Sequence, residues 1–480
     1  MATKTVQRCE ANGISVIVAG AGVGGLTTAL ECWRKGCDVR IFERTREALT
    51  SGDSFTIGPT ALDAFKNWPF LQQRTREISY HHMIAYHHIT GERFAGPLEV
   101  TQLVSTSVNN RQFHRHSRPK FHAMLSEQLA QVGIQVEYGK AVVDYAEDAE
   151  SGKGSVVLED GSGHQADLVV AADGVKGRSW GLVAGQPVPA RSSGNAIYRV
   201  AYPVGLALAD PAVAERFPLR EDGRSVIELW IGSGMNAFFW RNQDEMQWLV
   251  QHEDSQDRDT PSSGSAKESW SHRVSPEEVI KYVATIPGWP EIGTRVIRTT
   301  PPDQLVHWKL MWRDPQPKWT SPAGRVVQLG DAAHTFLPSS GNGGTQAMED
   351  AISLAACLAM AGSKENVPDA IRMHNLLRFE RVSCLQAFGV LNRQKNTSER
   401  KQDGSDAKQK QVHIGRWILE HDPEQYVVDN YEKALECLRD GGEWENTNIP
   451  PGLVYRPWTI DGLLEAQAKG EPTVLDGDWD

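Results

Sequence analysis

The chain has 480 residues, 40% apolar and 23% charged, a globular composition that predicts two or three domains of roughly 100 to 200 residues and excludes disordered, collagen-like and miniprotein classes. Its 50 Lys and Arg against 61 Asp and Glu give a formal net charge of −11, so no overall positive field draws it to nucleic acid or to an anionic membrane. Six cysteines (Cys9, Cys32, Cys37, Cys357, Cys384, Cys437) form no CxxC pair and no zinc spacing, which suits reduced thiols in a cytoplasmic protein rather than disulfides.

In chain order, ISVIVAGAGVGGL at residues 14–26 follows a polar start with Lys4 and Arg8 and has the look of a signal-peptide core. Its glycines, and the amphipathic segment it runs into up to Lys35, fit a buried strand, tight turn and helix better. No window reaches the ~18 continuous apolar residues of a membrane span; residues 351–362 fall short, and the chain reads as soluble. A strand at 14–19, a helix at 23–35 and a strand at 38–43 make a βαβ unit whose strands are continuous apolar runs, buried on both faces. A strand at 80–89 follows, outside that unit. Residues 121–132 are helical by period, and strands are predicted at 134–138, 141–145, 155–159 and 168–172. From 195 to 252 the pattern becomes period-two and aromatic (NAIYRVAYPV, SVIELWIG, MNAFFWR, EMQWLVQH), the mark of an antiparallel sheet with one buried face. Residues 254–273 are polar and predicted to be a mobile loop. A strand at 326–329, helices at 346–361 and 370–392, a charged linker at 395–411 and a Trp-bearing tail complete the chain.

Three motifs carry chemistry. In Gly20-Ala21-Gly22-Val23-Gly24-Gly25, the GxGxxG spacing lies between a strand and a helix. Gly20 permits the turn, Gly22 lets backbone approach a pyrophosphate, Gly25 lets helix and strand pack, and the helix N-terminus attracts anionic charge. Glu43, 18 residues past Gly25, ends the next strand where an acid would hold ribose hydroxyls. Residues 169–179 form an apolar strand ending in Asp173-Gly174. The stretch VVQLGDAAH at 326–334, followed by Pro338 and Gly341-Asn342-Gly343-Gly344, delivers a carboxylate, Asp331, and then a loop whose amides open a helix.

In this order, and with Glu349-Asp350-Ala351, these motifs resemble the three fingerprints of the single-component FAD-dependent monooxygenases of the para-hydroxybenzoate hydroxylase type, over residues 14–395. The resemblance implies an α/β protein with a Rossmann-like FAD-binding domain (1–78, 108–186 and 318–395), interrupted by a mixed or antiparallel sheet domain that binds the substrate (79–107 and 187–317), and a C-terminal helical extension (396–480). It implies FAD as cofactor, NADPH or NADH as transient reductant and O2 as co-substrate. One oxygen atom would reach a small aromatic substrate through a C4a-hydroperoxyflavin, in a cavity that excludes water. Residue by residue, Asp331 would bind the ribitol, Asp173 and Gly174 would lie by the pyrophosphate, and Arg118 would reach the flavin, with Arg111 as its competitor. Arg44 would join Glu43 in the cofactor site. The amides of Gly341, Asn342, Gly343 and Gly344 after Pro338 would face the flavin N1 and C2 carbonyl, unless the loop is only a helix cap.

Asp53 stands in the loop beside the flavin where the family usually has a small residue, and Arg199 lies on the alternating strand of the second domain with Tyr198 and Tyr202 on the opposite face. The Asp and Arg together resemble fungal flavin monooxygenases of indole-alkaloid pathways, which epoxidise an indole before rearrangement to a spiro-oxindole; Asp53 also reads as a cofactor-site residue or a turn former, and Arg199 as a surface ion-pair residue. Phenol or salicylate hydroxylation and flavin oxidoreduction without oxygen transfer are the alternatives. The clustered His81, His82, His87, His88, His114, His116 and His122 lack the carboxylates or thiolates of a metal set, so no metal is expected. Of Trp230, Trp240, Trp248, Trp308 and Trp312, most are expected in the core and one or two in an aromatic cavity.

Overall fold

The computed structural model describes residues 6–48, 52–80, 82–99, 113–254, 272–398, 415–442, 444–469 and 477–479. The strand that feeds the glycine loop, Ser15–Ala19, is the middle of a five-stranded parallel sheet. It lies between Leu168–Ala171 and Asp38–Glu43, with Val326–Gln328 and Val136–Tyr138 at the edges. Both faces are covered, which is why these strands are unbroken apolar runs: Leu168, Val169, Val170 and Ala171 are fully buried. One face packs on the helices Val23–Arg34, Arg118–Gln131 and Gly343–Ala361. The other carries a three-stranded antiparallel sheet, Val142–Asp148, Lys153–Leu158 and Gly163–Ala166.

The period-two region folds as expected into four strands, Arg191–Pro203, Ser225–Gly232, Met235–Arg241 and Glu245–Glu253, within a seven-stranded sheet. Its edges are Val306–Trp312 and Arg93–Glu99, and His82–His88 runs parallel to Ser225–Gly232, so the sheet is mixed. Tyr198, Val200 and Tyr202 point to one face, where Trp230, Phe239 and Trp248 pack on the helices Pro276–Val283 and Glu291–Arg298. Ile197 and Arg199 point to the other. The single strand expected at 80–89 is two: Ser79–Tyr80 pairs with His114–Ser117 in a small sheet shared with Ser54–Ile57, and His82–His88 joins the large one. The helix expected at 370–392 runs over Val367–Ser398, taking in the start of the charged linker; the rest of that linker and the loop at 255–271 lie outside the described residues.

A buried charge network holds these parts together. Glu349 and Asp350, at 0% exposure in the helix Gly343–Ala361, meet Arg378 (2.6 and 2.9 Å), and Glu349 meets Arg381 (3.0 Å), both arginines on the helix Val367–Ser398. Asp350 also accepts from His334 Nε2 (2.5 Å) and the Gly330 amide (3.2 Å), and Glu349 from Thr60 Oγ1 (2.6 Å). Arg381 donates onward to the carbonyls of Trp417, Ile418 and Asn448, which binds the C-terminal segment to the same knot. That segment is structural in its own right: the helix Pro423–Asp440, capped by Asp422, buries Val427, Tyr431 and Ala434 in the main core.

Removing one member of a buried ion network strands its partner's charge, which costs about 3–5 kcal/mol. Arg381→Met should therefore lower the unfolding free energy obtained from urea titration by an amount of that order. Burial alone would raise the Glu349 and Asp350 carboxyls, but Arg381 and Arg378 for the first, and His334 and Arg378 for the second, hold both below their ordinary values of 4.5 and 3.8. The stability they add is complete above those unfolded values and drains as pH falls toward the depressed folded ones. The gap between wild type and Arg381→Met should thus narrow progressively below about pH 4.

Candidate functional site

The glycine loop has the shape of an anion cradle. Gly20 has φ +109°, and a Cβ there would collide with the Ala172 carbonyl; a Cβ on Gly25 would collide with the Gly20 carbonyl. Gly22 differs: a Cβ on it would meet nothing within 4 Å, so its backbone looks onto open space. It is also the N-cap of the helix Val23–Arg34, which has no side-chain cap and no acid in its first turn, leaving its amides and dipole for an anion. Glu43 accepts from the amides of Ala21 and Thr45 (both 2.8 Å), so it braces the loop, and each carboxylate oxygen keeps a lone pair for a hydroxyl. His122 Nε2 lies 2.9 Å from the Ala21 carbonyl on the far side.

Two further strand ends converge here. Asp173, with Gly174 after it, accepts from Tyr145 Oη (2.7 Å), and its other oxygen is buried without a partner among the described residues. Burial lifts its carboxyl above the ordinary range against the pull of Tyr145 and of the exposed Arg44. Asp331 faces outward just past Val326–Gln328 and its carboxyl is likewise raised by surrounding protein, while His334, Arg118 and Arg313 pull it down. The next loop passes Pro338, turns at Gly341 (φ +63°), fixes Asn342 by its side-chain bond to the Ser340 carbonyl (2.6 Å), and enters the helix Gly343–Ala361. Neither Asn342 nor any other side chain caps that helix, and the Thr345 hydroxyl instead accepts from the Gly58 amide (2.8 Å), drawing the 52–58 segment against the helix start, where a Cβ on Gly344 would meet Phe55 and Ile57.

Asp53 ties the two sheets together. Its carboxylate is ion-paired with Arg199 and lies 3.7 Å from Arg118 Nε, and its carbonyl accepts from the Arg118 amide (2.9 Å). Arg199 is therefore not a surface residue: it is 7% exposed, with its guanidinium over the ring of Trp308 (5.0 Å). Burial pushes it down to about 9, still well above neutrality, so it is a cation at pH 7. Arg118 lies over Phe55 (4.9 Å) and is within electrostatic reach of Asp331, so one arginine links the Asp53 loop to the Asp331 strand end. Ser54 secures the arrangement by donating its amide (3.1 Å) and hydroxyl (2.6 Å) to Gln247 Oε1 on the large sheet.

Trp308, Ile197 and Leu249 continue the Arg199 face into an apolar wall completed by Leu337, Val390 and, from the C-terminal segment, Trp458, Ile460, Leu463 and Leu464. Trp230, Trp240, Trp248 and Trp312 are buried, leaving Trp308 as the half-buried ring at the site. Sequence reasoning did not find Gln247 or the C-terminal wall, because neither carries a local signal. Arg111 and His81 lie outside the described residues; His82, His87 and His88 sit on the large sheet, and His114 and His116 on the small one.

An open cradle at Gly22, uncapped N-termini on two helices, a buried unpartnered oxygen on Asp173 and the outward Asp331 fit FAD, whose pyrophosphate would lie at the first, its ribitol at Asp331 and its ring at the second helix. Comparison with known proteins agrees. Residues 13–372 match the family model described as FAD binding domain. The FAD-dependent monooxygenase dmxR9 of Cryptosporiopsis sp. is 40% identical, over 98% of this chain and 91% of its own length. The solved structure of FqzB is similar with TM-score 0.79 and 27% identity, covering 93% of this chain and 99% of that one. CtdE in complex with FAD is similar with TM-score 0.72 and 25% identity, covering 88% and 99%. Among the described residues no helix is long and apolar enough to cross a membrane.

A valine side chain at position 22 would fill the open cradle, and alanine at 331 would remove the outward carboxylate. Gly22→Val and Asp331→Ala should each yield folded protein with little flavin absorbance per mole. Full flavin occupancy in either folded variant would remove that residue from the cofactor site.

Proposed function

This chain belongs to the FAD-binding-domain family and is an NAD(P)H-dependent flavoprotein monooxygenase, and from that premise we propose that it oxygenates an electron-rich fused aromatic ring held beside the Asp53–Arg199 pair, with 2,3-epoxidation of an indole alkaloid and semipinacol rearrangement to a spiro-oxindole as its specific reaction. Bound FAD, once reduced by NAD(P)H, supplies the activated oxygen from O2. The rest is the work of the chain. The observation that carries the reading is the buried Asp53–Arg199 ion pair, placed between the flavin-side loop and the substrate-side sheet, with Trp308 beneath the guanidinium.

Three tasks fall to these residues. Trp308 offers a flat ring for an aromatic substrate to stack against, and the wall of Leu337, Val390, Ile460, Leu463 and Leu464 keeps water from the reacting atoms. When the C3–O bond of an indole 2,3-epoxide breaks, the oxygen left on C2 gains negative charge and C3 gains positive charge; migration of the alkyl group from C2 to C3 then forms the C2 carbonyl of the oxindole. Arg199 is positioned for the first charge and Asp53 for the second, and their mutual pairing keeps each charged and aimed. Arg118 holds Asp53 from the other side, so the carboxylate does not swing away. Hydroxylation of a phenol or salicylate-type ring is the second reading, favoured by the same guanidinium, which suits a phenolate oxygen as well as an alkoxide.

Arg199→Ala should reduce product formation at saturating substrate by about 10²-fold, a loss near 2.7 kcal/mol of transition-state stabilisation, while leaving the rate of flavin reduction by NAD(P)H nearly unchanged in stopped flow. Asp53→Asn should release hydrogen peroxide in place of part of the product and shift the remainder toward unrearranged material. Product mass spectra across panels of indoles and phenols decide the substrate. A one-oxygen gain on phenols alone would establish the second reading, and consumption of NAD(P)H with no oxygenated product from any substrate would leave only a flavin oxidoreductase.

A further inference from the structure

Outside the flavin site, the outer face of the seven-stranded sheet holds a cavity of about 480 Å³, within the size range of small-molecule sites. Glu228 and Arg241 share this face with Phe239 and Met246, opposite to the face of Arg199 and Gln247, so the sheet separates the cavity from Asp53. Four arginines line it: Arg93, Arg216, Arg220 and Arg241. Its one lining acid, Glu228, is already engaged by Arg216 (3.0 Å) and by the Trp230 indole N–H (2.9 Å). Arg93 and Arg241 have no acidic partner among the described residues, and the Nε of Arg241 is buried with no hydrogen-bond acceptor. The contrast with adjacent Arg224, which is paired with both Asp222 (2.7 Å) and Glu99 (2.5 Å), is sharp: in a chain of net charge −11, acids are not scarce, yet among the described residues none is paired with these two guanidiniums.

We propose that this cleft is a binding site for a phosphorylated small molecule, with Arg93 and Arg241 receiving the phosphate, Arg220 at the rim, and Phe217, Leu219 and Val226 packing on the body of the ligand. Guanidinium forks match phosphate oxygens in a bidentate geometry that a solvated surface charge does not need. Arg216, fixed by Glu228 and by the Gly91 carbonyl (3.1 Å), frames the floor without spending its charge on the ligand. The same phosphate chemistry comes from two sources, the adenosine 2′-phosphate of the NADPH reductant or a free phosphorylated metabolite. The site stands independently of the indole reading.

Calorimetric titration of the FAD-loaded protein with 2′,5′-ADP and, separately, with inorganic pyrophosphate tests it. At least one probe should bind with Kd below about 1 mM, more weakly as salt is raised. Arg93→Gln and Arg241→Gln should each weaken that binding about tenfold or more, with flavin content and thermal midpoint unchanged, whereas Arg298→Gln, an exposed arginine on a neighbouring helix, should not. Tighter binding of 2′,5′-ADP, together with a raised KM for NADPH but not NADH in Arg241→Gln, assigns the phosphate to the reductant; equal binding of the two probes with unaltered KM assigns it to a free metabolite. Failure of both probes to bind with Kd below about 1 mM, or binding that survives both substitutions, overturns the site.

Discussion

Glu349 depends on Arg378 and Arg381, and the elements that frame the candidate cofactor site are tied to the Glu349-Asp350 step. The two arginines are fully buried, so their charge is tolerable only opposite the Glu349-Asp350 pair, and that pair in turn fixes the helix Gly343–Ala361 with its uncapped N-terminus. Through Thr60 the knot reaches the loop carrying Asp53, through the Gly330 amide and His334 it reaches the strand end carrying Asp331, and through Arg381 it reaches the backbone of the C-terminal segment. A single helix step is thus the common reference for Asp331, the amides that open the helix Gly343–Ala361 and the backbone of the C-terminal segment. Apolar side chains would fill the same volume at less desolvation cost, but they would not fix directions; hydrogen-bonded charges do.

The second seam is the one between sheets. Asp53 sits between Arg199 and Arg118, each guanidinium resting on an aromatic ring, and Ser54 is anchored to Gln247 beside it. The flavin-side loop therefore takes its position from both sheets at once. Such a seam transmits small displacements of the large sheet directly to the Asp53 carboxylate.

Much of this was legible in the sequence because it is local. The glycine spacing, the apolar strands around it and the terminal Glu43 lie within thirty residues, and the period-two runs at 225–232 and 235–241 coincide with the strands Ser225–Gly232 and Met235–Arg241. What stayed hidden is non-local. Nothing near Arg378 or Arg381 announces that their partners lie 28 to 32 residues back on another helix. Arg118 comes to Asp53 only because Ser54–Ile57 pairs antiparallel with His114–Ser117, and the loop bearing Gln247's partner Ser54 is 193 residues away from it. The strand Val306–Trp312, one of the walls of the site, went unnamed because VHWKLMW lacks clean alternation, its last three residues all being buried. The split of Ser79–Tyr80 from His82–His88 was invisible because nothing in the sequence there marks a break, and only the strand partners differ.

The parallel sheet has a consequence for how the molecule comes into being. Its central strand, Ser15–Ala19, is synthesised before its neighbour Leu168–Ala171, which emerges about 150 residues later, and the edge strand Val326–Gln328 follows about 150 after that. Such long-range pairings make folding slow, and the apolar runs that must wait are the most adherent in the chain. A cofactor that touches all three segments and binds only their assembled form would pull this late closure forward by mass action. Flavin supply would then govern how much of the protein survives its own birth, quite apart from how fast each finished molecule works.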